Sequence, residues 1–102
     1  MSAVLTKKAL VRIKKVHQLS RKYNGPSRGQ HLAKLLLLMR KHAQEITLLH
    51  RKKDLHYLIE VGDLLILCFE ILLENRRSID ATARLCFTRY EKKLTQLLAR
   101  SA

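Results

Sequence analysis

The sequence predicts an all-α protein, an up-down-up-down antiparallel four-helix bundle built as a single domain over residues 1–102. Three observations carry that reading. Apolar residues recur at three- and four-residue spacing in four successive stretches, the mark of amphipathic helices. Short polar junctions separate them at Asn24-Gly25-Pro26-Ser27, Arg51–Asp54 and Asn75–Ser78. One proline and three glycines among 102 residues leave too little turn chemistry for a many-stranded β fold. Long helices joined by short turns pack antiparallel.

The first helix is expected from about Ala3 to Tyr23, with Leu5, Ala9, Ile13, Val16 and Tyr23 turned inward. Lys7-Lys8, Lys14-Lys15 and Arg21-Lys22 repeat at seven-residue intervals, close to two helical turns, so they stack on the opposite side. Val11 alone interrupts that basic arc. Asn24-Gly25-Pro26 stops the helix, because glycine accepts a left-handed cap and proline cannot continue the hydrogen-bond ladder.

Ser27 begins the second helix with Gln30 three residues on, the S-x-x-Q form of a capping box. It should run from about Arg28 to Leu49 with Leu32, Leu35, Leu36, Met39, Ala43 and Ile46 as its core stripe. Leu37 and Leu48 fall on another flank, apolar surface beyond what a two-layer packing needs, and mark a half-buried flank or a subunit interface. Arg51-Lys52-Lys53 closes the helix with charge that complements its dipole.

Asp54 is the expected cap of the third helix, which should reach Glu74 or Asn75. Glu60, Asp63, Glu70 and Glu74 form one narrow stripe on a helix otherwise apolar around most of its circumference, which makes it the central element. The stripe is expected to pair with basic residues of neighbouring helices or of another subunit. Ser78 caps the fourth helix, with Asp80 in its first turn. That helix should run from Ile79 to Arg100 with Ile79, Ala83, Cys86, Phe87, Tyr90, Leu94, Leu97 and Leu98 facing inward.

Charge is the strongest functional clue. The net charge is +13, and the first 44 residues carry eleven Lys and Arg with no Asp or Glu. Such an excess repels itself in a compact fold, so an anionic partner is expected to neutralise it. A membrane-surface helix would show Trp or Phe along an exposed apolar edge, but the chain has no Trp and both Phe lie on predicted core stripes. The longest uncharged apolar run, 64–69, is far below the ~20 residues of a membrane span. The N-terminus shows no secretory signal, so a cytoplasmic location is expected.

Nucleic acid, RNA or DNA, is therefore the expected partner. Contacts should fall mainly on phosphate, because few aromatics remain for base stacking. The candidate contact residues are Lys7, Lys8, Arg12, Lys14, Lys15, Arg21, Lys22, Arg28, Lys34, Arg40, Lys41, Arg51, Lys52, Lys53, Arg76 and Arg77. Leu37, Leu48, Glu60, Asp63, Glu70 and Glu74 are the candidate oligomer interface. A helical adaptor or chaperone docking an acidic protein is the rival reading.

Catalytic signatures are missing: there is no phosphate-cradling glycine loop, no G-x-S-x-G, no C-x-x-C and no H-E-x-x-H. Neither a cofactor nor a metal site is expected, since no E-x-x-H occurs and the five histidines are scattered over three helices. Cys68 and Cys86 read as reduced, buried small hydrophobes. A non-enzyme is expected.

The stretch from Arg21 onward resembles the accessory variability determinants of diversity-generating retroelements, relatives of the four-helix proteins encoded in 23S rRNA intervening sequences. The resemblance lies in the order RKYNGPSRGQHL, LAKLLLLMRKHAQEITLL, HRKKD, LHYLIEVGDLLILCFEILLEN and SIDATARLCFTRYEKKLTQLLARS. Members often carry a Gly-Gly-Trp-like segment near the end of the last helix, where this chain has Thr95-Gln96-Leu97-Leu98. The resemblance implies a basic four-helix bundle that assembles as a pentamer. It also implies binding to a reverse transcriptase and its template RNA, supporting cDNA synthesis without catalysing it.

Overall fold

The computed structural model describes residues 3–25 and 27–101. They form four α-helices, α1 (Lys7–Asn24), α2 (Arg28–Arg51), α3 (Tyr57–Glu74) and α4 (Ile79–Ser101), with no strand among the described residues. The chain is an all-α four-helix bundle in which α1, α2 and α3 pack on one another and α4 joins through α3.

The caps explain the boundaries. Thr6 Oγ1 accepts the Ala9 N–H at 3.1 Å, so α1 begins at Lys7, four residues later than the apolar spacing suggests. Ser27 Oγ accepts the Gln30 N–H at 3.3 Å and Ser78 Oγ accepts the Ala81 N–H at 3.1 Å, as expected of both caps. Asp54 does not cap α3. Its carboxylate accepts the His56 N–H at 2.9 Å within the preceding turn, and the N-cap is His56, whose side chain makes no capping bond. Gly25 sits at φ 138° and sends its N–H to the Arg21 carbonyl, a backbone conformation that a Cβ would strain. Pro26, the expected helix stop beside it, lies outside the described residues.

The core is small and α2 and α3 are its axis. Ile13, Leu35, Leu67 and Ile79 are its buried apolar side chains among the described residues, Leu35 completely so. On α2 the buried face is rotated from the expected stripe: Leu35 is buried and Leu32, Met39 and Ile46 are half-buried, while Leu36 and Ala43 are exposed. His31, Leu38 and His42 take the inward positions instead. Leu37 and Leu48 point to solvent.

The fourth helix departs most from the sequence expectation. Ile79 is buried, but Cys86, Phe87, Tyr90, Leu94, Leu97 and Leu98 all face solvent within one chain. The physical reason is geometric: α1 already occupies the side of α3 that carries Glu70 and Glu74, and α4 touches α3 and then leads away. The radius of gyration is 16.2 Å, against about 13 Å for a compact chain of this length. On α3, Leu58, Ile59, Val61 and Leu65 are exposed as well. Cys68 is half-buried and Cys86 exposed, so the two cysteines, both free thiols, do not share the buried environment expected of them.

Candidate functional site: a basic helix face over a buried histidine–glutamate cluster

The outer side of α1 presents Lys7, Lys8, Arg12, Lys14, Lys15 and Lys22 to solvent. Arg40, Lys41, Arg51, Lys52, Lys53, Arg76 and Arg77 are also exposed, and Lys34 is half-buried. The side chain of Arg28 lies outside the described part. Among the described residues, Lys and Arg make ion pairs at two places, Arg21 with Glu74 and Arg84 with Asp80. Fields of neighbouring like charges therefore add along the outer face of α1.

Arg21 belongs to a different environment from its basic neighbours. Its Nε stands 3.7 Å from Glu74 Oε1, so it serves the interior as well as the surface.

The inner side of α1 follows the expected apolar stripe only in its first half, where Leu5 and Ala9 are half-buried and Ile13 is buried. Val16 and Tyr23 are exposed, Tyr23 by 90%, and the face continues inward from Ile13 through His17, Ser20 and Asn24. Their spacing of four, three and four residues is one helical face. Three of these four residues are polar: His17 meets the acidic stripe of α3 directly, and Ser20 and Asn24 join it through His31.

That stripe turns inward. Glu70 and Glu74 are each 4% exposed and lie one turn apart from Leu67 and from each other. Glu74 Oε1 accepts from His31 Nδ1 on α2 at 2.8 Å and from His17 Nε2 on α1 at 2.9 Å. His17 Nδ1 stands 3.2 Å from Glu70 Oε1, and His31 Nε2 stands 2.9 Å from Ser20 Oγ. Asn24 donates to the same Ser20 hydroxyl at 3.1 Å. The His17 and His31 rings are 5.1 Å apart and tilted by 46°. A second set follows the stripe toward the start of α3, where His42 Nδ1 meets Glu60 Oε2 and His56 Nε2 lies 3.5 Å from Glu60 Oε1.

Pairing of the acidic stripe with neighbouring helices is thus realised, with histidine as the main partner in place of Lys or Arg. The interface assignment of Glu70 and Glu74 is corrected: both are enclosed by their own chain, and Glu60 is largely covered by His42. Asp63 remains exposed, as do Leu37 and Leu48. The histidines are not scattered in space, since helix packing gathers four of the five along the stripe.

Burial pushes the Glu74 carboxyl upward, but the hydrogen bond from His31 and the charges of His31, Arg21 and His17 outweigh it, holding the group below its ordinary value of 4.5. Glu74 Oε2 is fully shielded and has no hydrogen-bond partner. An unsatisfied buried acceptor costs about 1–3 kcal/mol, so the cluster is organised around one oxygen at the expense of the other.

A depressed carboxyl stabilises the fold above the pKa of the unfolded chain, and that contribution disappears as pH falls through the lower folded value. Thermal melts in chelator-treated buffer should accordingly show a falling Tm from about pH 4.5 downward. The fall should be shallower in Glu74→Gln; parallel profiles for the two proteins would contradict the assignment.

No family model matches this chain, and no curated protein or solved structure matches it.

Proposed function

We propose that this protein is a non-catalytic, nucleic-acid-binding accessory protein of the cytoplasm that grips RNA or DNA phosphates, acts as a homo-oligomer and serves a reverse transcriptase. The observation that carries the reading is the outer face of α1: exposed lysines at positions 7, 8, 14, 15 and 22, on a helix with no acidic residue. Among the described residues no helix is long and apolar enough to cross a membrane. The reverse-transcriptase partner and a pentameric assembly rest on the resemblance of the chain from Arg21 onward to accessory variability determinants. Support for self-association comes from the exposed apolar surface on α3 and α4, which is larger than one protomer covers.

The electrostatic role has a direct test. Replacing Lys7, Lys8, Lys14, Lys15 and Lys22 by Gln should weaken binding to unrelated RNA and DNA sequences alike. The slope of log affinity against log salt should shrink by roughly 0.7–0.9 per lost phosphate contact. Arg21 is left in place because it also faces Glu74. A folded variant with unchanged affinity and slope would exclude the α1 face. Co-purification with a single acidic protein, free of nucleic acid, would favour the adaptor reading.

A further inference from the structure

We propose that His17, His31 and Glu74 form a binding site for one divalent transition-metal ion of the zinc type, joining α1, α2 and α3. Each helix supplies one ligand: His17 Nε2, His31 Nδ1 and a Glu74 carboxylate oxygen, all within 4.8 Å of one another. Two imidazoles and a carboxylate are a donor set suited to zinc and its first-row neighbours, and leave a fourth position for water.

The distances are close to what an ion requires. The two nitrogens stand 2.9 and 2.8 Å from Glu74 Oε1. Ligand atoms around tetrahedral zinc are roughly 3.3 Å apart when each lies about 2.0–2.2 Å from the metal. Opening the triangle by about half an ångström admits the ion.

The surroundings point the same way. A metal-bound histidine characteristically donates its outer N–H to a carboxylate or another oxygen, which fixes its tautomer. Here His17 turns its outer nitrogen to Glu70 Oε1, and His31 turns its outer nitrogen to Ser20 Oγ. Without an ion both nitrogens of His17 face carboxylate oxygens, Glu70 Oε1 and Glu74 Oε1, and a ring with one N–H can donate to only one of them. With the ion in place, one outer proton on each ring satisfies both histidines. Glu74 Oε2, buried and without a partner, is an acceptor already desolvated for the same ion. Glu70 and Glu74 together match the charge of a dication.

Two features allow entry. His17 keeps 12% of its side chain exposed at the rim, and Arg21, 3.7 Å from Glu74 Oε1, is 44% exposed and can turn toward solvent. The sequence conceals the site because its ligands come from three helices with no short motif between them. The neighbouring group of His42, Glu60 and Asp63 is more open, with Asp63 exposed and no buried orphan atom, and serves as the internal control.

The test is titration of the chelator-stripped full chain with zinc chloride by calorimetry, and with cobalt chloride by visible absorption. One ion per chain should bind, with a four- or five-coordinate cobalt spectrum that lacks the thiolate charge-transfer band Cys68 or Cys86 would contribute. Zinc at a hundred times its Kd should raise Tm by on the order of 10 °C. His17→Gln, at the rim of the core, and Glu74→Gln should each weaken zinc binding by more than about tenfold, while His42→Gln leaves it unchanged. No binding at 100-fold molar excess, a thiolate band, or affinity retained in both His17→Gln and Glu74→Gln would overturn the site. The wild-type cobalt spectrum decides independently of how well any variant folds. Nucleic-acid binding is not part of this readout, so the two proposals stand or fall separately.

Discussion

Glu74→Gln should lower the unfolding free energy at neutral pH by roughly 3 kcal/mol, the cost of breaking a buried ionic cluster by removing one member. The side chain is 1% exposed and faces His17, His31 and Arg21, so solvent cannot replace what the carboxylate gave them. Glutamine keeps the volume but takes away the negative charge that Arg21 faces and sets an amide against the ring nitrogens of His17 and His31. Because His31 is fully buried, it cannot turn to water for compensation. Glu70→Gln should be milder, since Glu70 meets the cluster through His17 at 3.2 Å. Glu91 is exposed on α4, and Glu91→Gln should leave stability within about 0.5 kcal/mol of the parent. Denaturant melts of the three variants provide the comparison, and equal losses would remove the special standing of the α3 stripe.

The second large effect concerns α4. Phe87, Tyr90, Leu94 and Leu98 follow a three- and four-residue spacing and form one exposed apolar stripe 47–70% accessible together with Leu97. A stripe of that kind is unusual on a protein that stays alone in solution. Light scattering at micromolar concentration should therefore report a mass above the 11.9 kDa of one chain. The triple change Phe87→Ser, Leu94→Ser, Leu98→Ser should return it to a monomer that keeps its helix content, because these side chains are mostly exposed within their own chain. Leu37→Ser and Leu48→Ser should weaken assembly if the α2 flank joins the same contact. A wild-type chain that remains monomeric would refute the oligomer.

The two effects have different physical origins. Loss of Glu74 acts within a protomer and should not depend on protein concentration. Loss of the α4 stripe should act between protomers, so the gap in apparent stability between parent and variant should widen as protein concentration rises and mass action favours assembly of the parent.

Local chemistry was legible from the sequence alone. The four helices, the Ser27 and Ser78 caps, the turn at Gly25 and the basic outer arc of α1 depend on residues within a few positions of one another, although α1 starts later than its apolar spacing suggests and His56 stands at the cap expected of Asp54. The alignment of Glu60, Asp63, Glu70 and Glu74 on one side of α3 was equally plain, because it follows from helical periodicity. What that alignment faces was decided only in three dimensions. Hydropathy places charged residues outside, yet Glu70 and Glu74 are buried because His17 and His31 arrive from two other helices to meet them. The stripe of Ile13, His17, Ser20 and Asn24 was a possible signal, but its meaning depended on a partner more than 40 residues away. The same holds for α4, whose amphipathic pattern announces that its apolar face will be covered but not by which chain. Periodicity is a property of one helix, whereas burial is a property of the helices packed against it.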